Sequence, residues 1–411
     1  MDREKKHVLV VAYACEPNKT SEPGVGWNLT KEISKKYKTT VLTRKNNQKN
    51  IESEKKDERT FIYYDLPSFF LKMKKILPLG TQLYFLFWQW GAYFYAKKHI
   101  QDFERDIDLV HHLTFGISWT SPPSFILNKK FIWGPIGGGD IAPLSLFKEL
   151  DYKSKLQESI YFLLNKLGRY SPFSYLIRKN ADAIIFRTES LKSNFKKTST
   201  NILPIISETA SVEIEIKPPK KHNTFIHALS VGRMIYVKET MLSVKGFHEY
   251  LKRGGKGKLE LLGAGYDFER VKNYIKEHKL EQHIITRGFV SGDVVHQKLS
   301  EASVLLHPSF REGGSWAIME AMTYGLPVVC LNRSGPKDMV TKECGILIDT
   351  HSQNQVIDDI ANSLMQLSSN KDLFEKLSKN AQKRIQTQYT WQKRGEQIAE
   401  IYEMVLNKGL K

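Results

Sequence analysis

Cysteine is nearly absent from this chain. Only Cys15, Cys330 and Cys344 occur in 411 residues, an odd number without metal-binding spacing. Two follow apolar strand-like runs and the third precedes one. They read as small core residues in a reducing compartment, which argues against a disulfide framework. Acid is also scarce: 44 Asp and Glu against 62 Lys and Arg leave a net charge of +18. That excess favours acidic partners, namely nucleotide sugars, nucleic acid or an anionic membrane surface. No RNA- or DNA-binding signature supports nucleic acid, and basic residues spread along a chain commonly form a solvated face.

Long apolar runs are missing too. The longest, Leu83 to Ala96, is broken by Gln89 and is too short to span a bilayer. Val8 to Ala14 follows a charged start, but it is short and leads into Glu16-Pro17 without a small-residue cleavage site. It reads as a first β-strand rather than a secretory leader. The expectation is a cytoplasmic protein, with the inner membrane face as a peripheral location. No short repeat or low-complexity tract appears. At 41% hydrophobic the chain can bury a full core and is long enough for two domains.

What is present centres on His307-Pro308-Ser309-Phe310-Arg311-Glu312-Gly313-Gly314-Ser315-Trp316 and the helical run through Glu320-Ala321-Met322 to Gly325. Val304-Leu305-Leu306 before it reads as a buried strand, and Pro327-Val328-Val329-Cys330 begins the next. Gly313 and Gly314 let backbone approach a ligand, Ser315 can cap the helix, and the helix N-terminus suits a phosphate. Glu320, inside the helix, cannot bind phosphate but can accept hydrogen bonds from sugar hydroxyls, as an acid does for a ribose in dinucleotide folds. The residues alone also allow a βαβ turn with two solvated glutamates.

The spacing of Glu312 and Glu320, the preceding Pro308-Ser309 and the following Gly325 and Pro327-Val328 resemble the signature of the retaining glycosyltransferases of family 4. A second string supports the resemblance. Gly232-Arg233-Met234 with Lys238 resembles the family's Gly-Arg-Leu string, and its arginine and lysine match residue for residue. Glu239 stands where that family often has glycine, so a different local turn is expected there. Gly314-Ser315-Trp316 stands where the family commonly has Phe-Gly and an aliphatic residue, which puts the donor sugar in doubt more than the reaction. The resemblance implies an α/β GT-B fold: two Rossmann-like domains facing across a cleft, with a C-terminal helix crossing back. The domains are expected over 1–206 and 207–390, with the crossing helix over 391–411 and the connection over 207–223. It implies transfer of a sugar with retention from a nucleoside diphosphate to a glycan or lipid-linked acceptor, in cell-envelope or exopolysaccharide assembly. Arg233 and Lys238 are then expected on the diphosphate, Glu320 on the ribose, and Glu312 with the Gly313–Ser315 amides near sugar and phosphate. No cofactor and no metal are expected, since the two cations can neutralise the leaving group.

The first half supplies order and glycines. His7 to Ala14, a loop over Ser21–Trp27, Leu29, Ile33 and Tyr37 at helical spacing, and Thr39 to Thr43 make a β-loop-α-β unit. Gly24 and Gly26 in that loop are candidates for phosphate or sugar approach. The third glycine of the dinucleotide fingerprint is missing, and Arg44-Lys45 stand where a ribose-binding acid belongs, which argues against a nicotinamide enzyme. Asp106 to Thr114 reads as a strand, and the resemblance places His112 at the sugar pocket, with His111 as the alternative. Gly137-Gly138-Gly139 reads as a flexible turn or a cleft-lining loop. Ile160 to Lys179 reads as helical and basic. Between Leu66 and Gln101 no acid occurs, and Tyr84, Phe85, Phe87, Trp88, Trp90 and Phe94 lie among Lys72, Lys74, Lys75, Lys97 and Lys98. That run is either a core helix or a surface meeting anionic lipid. Against transfer stand three other readings: a glycoside hydrolase using the two glutamates, a sugar-nucleotide epimerase of the same fold, and a non-catalytic partner of another transferase.

Overall fold

The structure, a computed structural model, describes residues 5–76, 80–103, 107–148, 150–193, 195, 198–211 and 218–407. The chain divides into two units. One comprises residues 1–139, 163–208 and 391–411, the other 140–162 and 209–390. Each is built on a six-stranded parallel sheet. The first sheet contains β1 (His7–Val11), β2 (Lys38–Arg44), β3 (Thr60–Tyr64), β4 (Ile107–His112), β5 (Lys130–Ile136) and β6 (Ala183–Phe186). The second contains β7 (Phe225–Val231), β8 (Lys256–Leu262), β9 (Ile284–Gly288), β10 (Val304–His307), β11 (Val328–Leu331) and β12 (Gly345–Ile348). Runs such as Val8–Val11 and Val304–Leu306 are buried throughout, as strands covered on both faces must be.

The orders are β3-β2-β1-β4-β5-β6 and β12-β11-β10-β7-β8-β9. Counted from its own first strand, each sheet has the same winding, outward to one edge and then back across. The reversal falls between β1 and β4, and between β7 and β10. At such a point the loops leaving two neighbouring carboxyl ends diverge and open a crevice.

The helices discussed below are α1 (Ser21–Ser34), α2 (Ser68–Ile76), α3 (Gly80–Phe103), α4 (Tyr152–Arg169), α5 (Pro172–Asn180), α6 (Trp316–Thr323), α7 (Ser334–Met339) and α8 (Trp391–Leu406). Four expectations change. The loop over Ser21–Trp27 is helix from Ser21 onward. Gly24 and Gly26 are buried within it, because a Cβ on Gly24 would lie 2.0 Å from the Lys19 carbonyl oxygen and one on Gly26 2.1 Å from that of Ala14. These glycines seat α1 against the exit of β1, so they pack backbone on backbone rather than open a ligand loop. The single helix over 160–179 is two, α4 and α5. The Ser171 hydroxyl accepts from the Ser174 amide at 3.1 Å and Pro172 occupies the first turn, which starts the second helix afresh.

The third change concerns residues 140–162, expected in the first domain but packed in the second unit. The buried Glu158 explains this. Its carboxylate accepts from the Ala142 amide and the Tyr236 hydroxyl, each at 2.7 Å, and a buried carboxylate needs such partners. The fourth is the aromatic run, which divides between core and surface. Tyr84, Phe85 and Trp88 of α3 are buried, with Tyr13 edge-on to Phe85 and Trp88 at 5.1 and 5.0 Å, whereas Phe87, Trp90 and Phe94 face out. The Lys75 side chain and residues 212–217 of the expected connection lie outside the described residues.

α8 belongs to the first unit, where Tyr402 stacks edge-on to Tyr37 at 5.2 Å and Gly395 meets the Glu32 side chain. No helix among the described residues is long and apolar enough to cross a membrane.

Gly26→Ala should lower the calorimetric Tm by roughly 5 °C, because overpacking costs about 1–3 kcal/mol and backbone cannot step aside like a side chain. Gly292→Ala, at a helix start with nothing within 4 Å of the added carbon, should leave it within about 1 °C.

Candidate functional site

The carboxyl ends of β7 and β10 carry the predicted second-unit residues together. Beyond β7, Gly232 takes φ 148° and donates to the Leu262 carbonyl at 2.9 Å. Gly263, after β8, takes φ 141°, and a Cβ there would lie 1.9 Å from the Gly232 oxygen. A Cβ on Gly265 would lie 2.1 Å from the Met234 oxygen, and the Met234 amide bonds Ala264 at 3.0 Å. The two turns thus lie backbone on backbone, which only glycine permits. They present Arg233 exposed, with no side-chain hydrogen bond among the described residues.

Tyr236–Lys238 form one 3-10 turn, and Glu239 follows at φ 46° and ψ 47°. This left-handed conformation is the one a glycine would take there at least cost. The turn expected of glycine therefore survives the substitution. The Glu239 carboxyl is buried, and burial pushes its pKa up to about 7 against the charge of Arg270.

Lys238 Nζ donates to Glu312 Oε1 at 2.5 Å, and His307 Nε2 lies 2.6 Å from Glu312 Oε2. The Ser315 hydroxyl stands 3.3 Å from the same ring nitrogen. Burial would raise the Glu312 pKa, but the charge and hydrogen bond of His307, followed by those of Lys238, hold it down at about 2. Sequence reading quoted His307 without giving it a role, though a histidine at a strand's end five residues before a key glutamate was the available signal.

Backbone bonds hold this cluster. The Phe310 amide and Ser309 hydroxyl both donate to the Val237 carbonyl, at 2.8 and 3.0 Å, joining the loop after β10 to the turn that carries Lys238. Gly335 of α7 donates to the Glu312 carbonyl at 2.8 Å, and a Cβ there would meet the Gly313 oxygen at 2.1 Å. The Arg311 guanidinium lies over the Tyr161 ring at 3.5 Å, donates to the Tyr236 hydroxyl at 2.8 Å and pairs with Glu158 at 3.2 Å. Ser315 caps α6 by accepting from the Ile318 amide at 3.3 Å. Its own amide points at the Met339 sulfur at 3.2 Å. Of the three amides expected to face a phosphate, that one is therefore engaged by α7. Those of Gly313 and Gly314 have no acceptor among the described residues. Glu320, half-buried in α6, makes no side-chain hydrogen bond among them. Burial raises its pKa, and His296 opposes that.

Gly24, Gly26 and His112 lie in the first unit. His111 is a satisfied core residue, its Nδ1 2.7 Å from the Tyr402 hydroxyl and its Nε2 2.7 Å from the Gly134 carbonyl. His112 is equally buried, but neither ring nitrogen has a partner among the described residues. Burial, aided by His111, pushes its pKa down to about 3, so the ring is neutral. The described residues also bring together His227 of β7, Glu260 of β8 and Glu301. Glu260 is there paired with Lys258, Arg287 and Lys298, so the cluster already has more cations than carboxylates and little attraction left for a metal.

Residues 211–384 match the family described as glycosyl transferases group 1. The chain is 33% identical over 146 residues to the lipopolysaccharide 1,6-galactosyltransferase of Salmonella typhimurium, covering 34% of this chain and 40% of that protein. It is 26% identical over 219 residues to the poly(glycerol-phosphate) alpha-glucosyltransferase of Bacillus subtilis, covering 52% and 31%. The matches thus span less than half the length of either relative. Among solved structures, TarM superposes with a TM-score of 0.65 at 14% identity, covering 98% of this chain and 99% of that one. HepE of Anabaena, solved with UDP and glucose, gives 0.58 at 14%, covering 97% and 100%. The fold is the two-domain α/β fold of the GT-B glycosyltransferases.

The depressed Glu312 pKa has a pH signature. Its ionised form stabilises the fold fully above the ordinary value of 4.5, and that contribution is lost as pH falls through about 2. The Tm difference between the wild type and Glu312→Gln should be greatest near neutral pH and close across that window. A difference that stayed constant from pH 7 to 2 would show that the carboxylate is not held by these charges.

Proposed function

We propose, with that fold and that match as the starting point, that this chain is a retaining, metal-independent glycosyltransferase of family 4. It would move a sugar from a nucleoside diphosphate to an acceptor hydroxyl in cell-envelope or exopolysaccharide assembly. The observation that carries the reading is the cluster of Lys238, Glu312 and His307 where the second sheet reverses, with Arg233 exposed on the segment that joins β7 to Lys238. Two cations bordering the crevice suit a diphosphate, whose charge grows as the bond to the sugar breaks. Preformed positive groups stabilise that charge without rearranging during reaction. The unengaged amides of Gly313 and Gly314 suit the same phosphates or the sugar, and Glu320 suits a ribose.

Glu312 has a narrower part than a catalytic base. A carboxylate held ionised by two donors is a weak proton acceptor near neutral pH. Its task is to aim Lys238 and to accept from sugar hydroxyls. His112, neutral and unpartnered, is suited to bond a sugar or acceptor hydroxyl from the first unit. Gly24 and Gly26 have no direct ligand role in this reading, since packing accounts for both. The relatives named above act on lipopolysaccharide and poly(glycerol-phosphate), which supports a glycan or lipid-linked acceptor. A uridine nucleotide is the donor to try first, given the UDP bound in a solved neighbour.

A thermal-shift screen against nucleotide sugars should find a donor that raises Tm, because a ligand of the folded state stabilises it by mass action. With that donor, nucleoside diphosphate should be released, and faster when acceptor is added. Isomerised sugar nucleotide without acceptor, and with no transfer product, would establish the epimerase instead.

Lys238→Ala or Arg233→Ala should cut kcat by roughly 10²–10³, the usual loss for one preorganised electrostatic donor. Glu320→Ala should mainly raise the donor KM, since ribose contacts are alike in ground and transition states. Near-normal turnover of Lys238→Ala in steady-state assays would remove the diphosphate site from this cluster.

A further inference from the structure

α4 turns apolar side chains outward. Leu163, Leu167 and Tyr170, spaced by four and three residues, are 53%, 61% and 75% exposed. The opposite side is pinned: Asn165 is buried, and a Cβ on Gly168 would lie 2.2 Å from that of Trp119. α5 continues the face, with Phe173 and Leu176 exposed while Ser174 and Ile177 are buried. Trp90 of α3 stands edge-on to Phe173 at 5.7 Å, with Phe94 beside it at 6.4 Å. The carboxyl-terminal half of α4, α5 and α3, all within the first unit, therefore share one exposed apolar face, whereas a helix of a globular protein normally buries such a stripe.

The charge on this face has one sign. No Asp or Glu occurs from Ser159 to Ala181, while Lys166, Arg169 and Lys179 interleave with the apolar residues and the exposed Lys97 and Lys98 follow Phe94. We propose that this face docks the protein on an anionic lipid bilayer, with α4 and α5 lying in the interfacial plane. Rings and aliphatic side chains would enter between headgroups while the lysines meet lipid phosphates. A second copy is a poorer occupant, because a two-fold contact lays the same cationic patch against itself. The lysines beside the aromatic run alone do not define the surface, since much of that run is core.

The full chain should co-sediment with vesicles containing phosphatidylglycerol at low salt. It should bind pure phosphatidylcholine less well and be released at about 0.5 M salt, where screening is strong. On adding the anionic vesicles, amide hydrogen exchange should slow over residues 163–179. Leu167→Glu with Tyr170→Glu should lower vesicle affinity at least about tenfold, with Tm and the nucleotide-induced thermal shift unchanged. Lys166→Glu with Lys179→Glu should abolish the preference for anionic lipid. The proposal is overturned if the wild type ignores anionic vesicles or gains no protection over 163–179. It is also overturned if light scattering shows a dimer that Leu167→Glu with Tyr170→Glu dissociates, which would assign the face to a second copy. None of these readouts requires sugar transfer, so the proposal and the functional reading stand or fall separately.

Discussion

The site of the second unit is arranged around one half-buried carboxylate. Glu312 cannot leave water as an anion unless polar partners meet it, and it meets two: His307 from the end of β10 and Lys238 from the turn after β7. Those partners come from the two strands between which the winding reverses, so satisfying Glu312 draws both loops to the same point. The surrounding devices serve that approach. Val237 accepts two hydrogen bonds from the loop after β10, and Gly335 admits α7 against the Glu312 and Gly313 backbone. Arg311 anchors the same loop to Glu158 and Tyr236 on its far side. Positively charged groups are thus fixed beside a crevice before any ligand arrives, the condition under which electrostatic stabilisation is most effective.

The first unit answers its own reversal in the opposite sense. There a half-buried cation is met by two acids: Arg187, just beyond β6, pairs with Glu22 at 2.5 Å and Glu208 at 2.8 Å and donates to the Pro135 carbonyl. Glu22 sits in the first turn of α1 and also accepts from the Phe115 amide. This gives α1 a reason to begin early and carry its glycines inside the helix. Adjacent histidines on β4 then divide in role. The alternation of a strand aims His111 at α8 and the β5 backbone, and leaves His112 buried beside Phe85 with no hydrogen-bond partner among the described residues. An unpartnered buried imidazole is costly, which is consistent with a polar ligand completing it.

Much of this was legible without coordinates because it depends on near neighbours. Apolar runs of four to seven residues alternating with helical periodicity marked out the strands. The motifs naming Arg233, Lys238, Glu312 and Glu320 are contiguous strings whose backbone conformation is set locally by glycines and caps. What the sequence left undecided depends on contacts that the chain makes only once it is folded back on itself. Gly24 and Gly26 looked like a loop, since nothing nearby reveals that Ala14 and Lys19 oxygens press on them. The segment 140–162 changed units because Glu158 is satisfied by Tyr236 and Arg311. The Ser315 amide went to a methionine 24 residues away, and His307 gained its role from the Lys238–Glu312 pair. The aromatic run of α3 was apolar on every side, so its periodicity had no direction to give. Only the packing of Tyr13 against Phe85 and Trp88 decided which rings are core and which remain outside. Local conformation is set by the residues at hand, but burial is set by whatever the rest of the chain brings alongside.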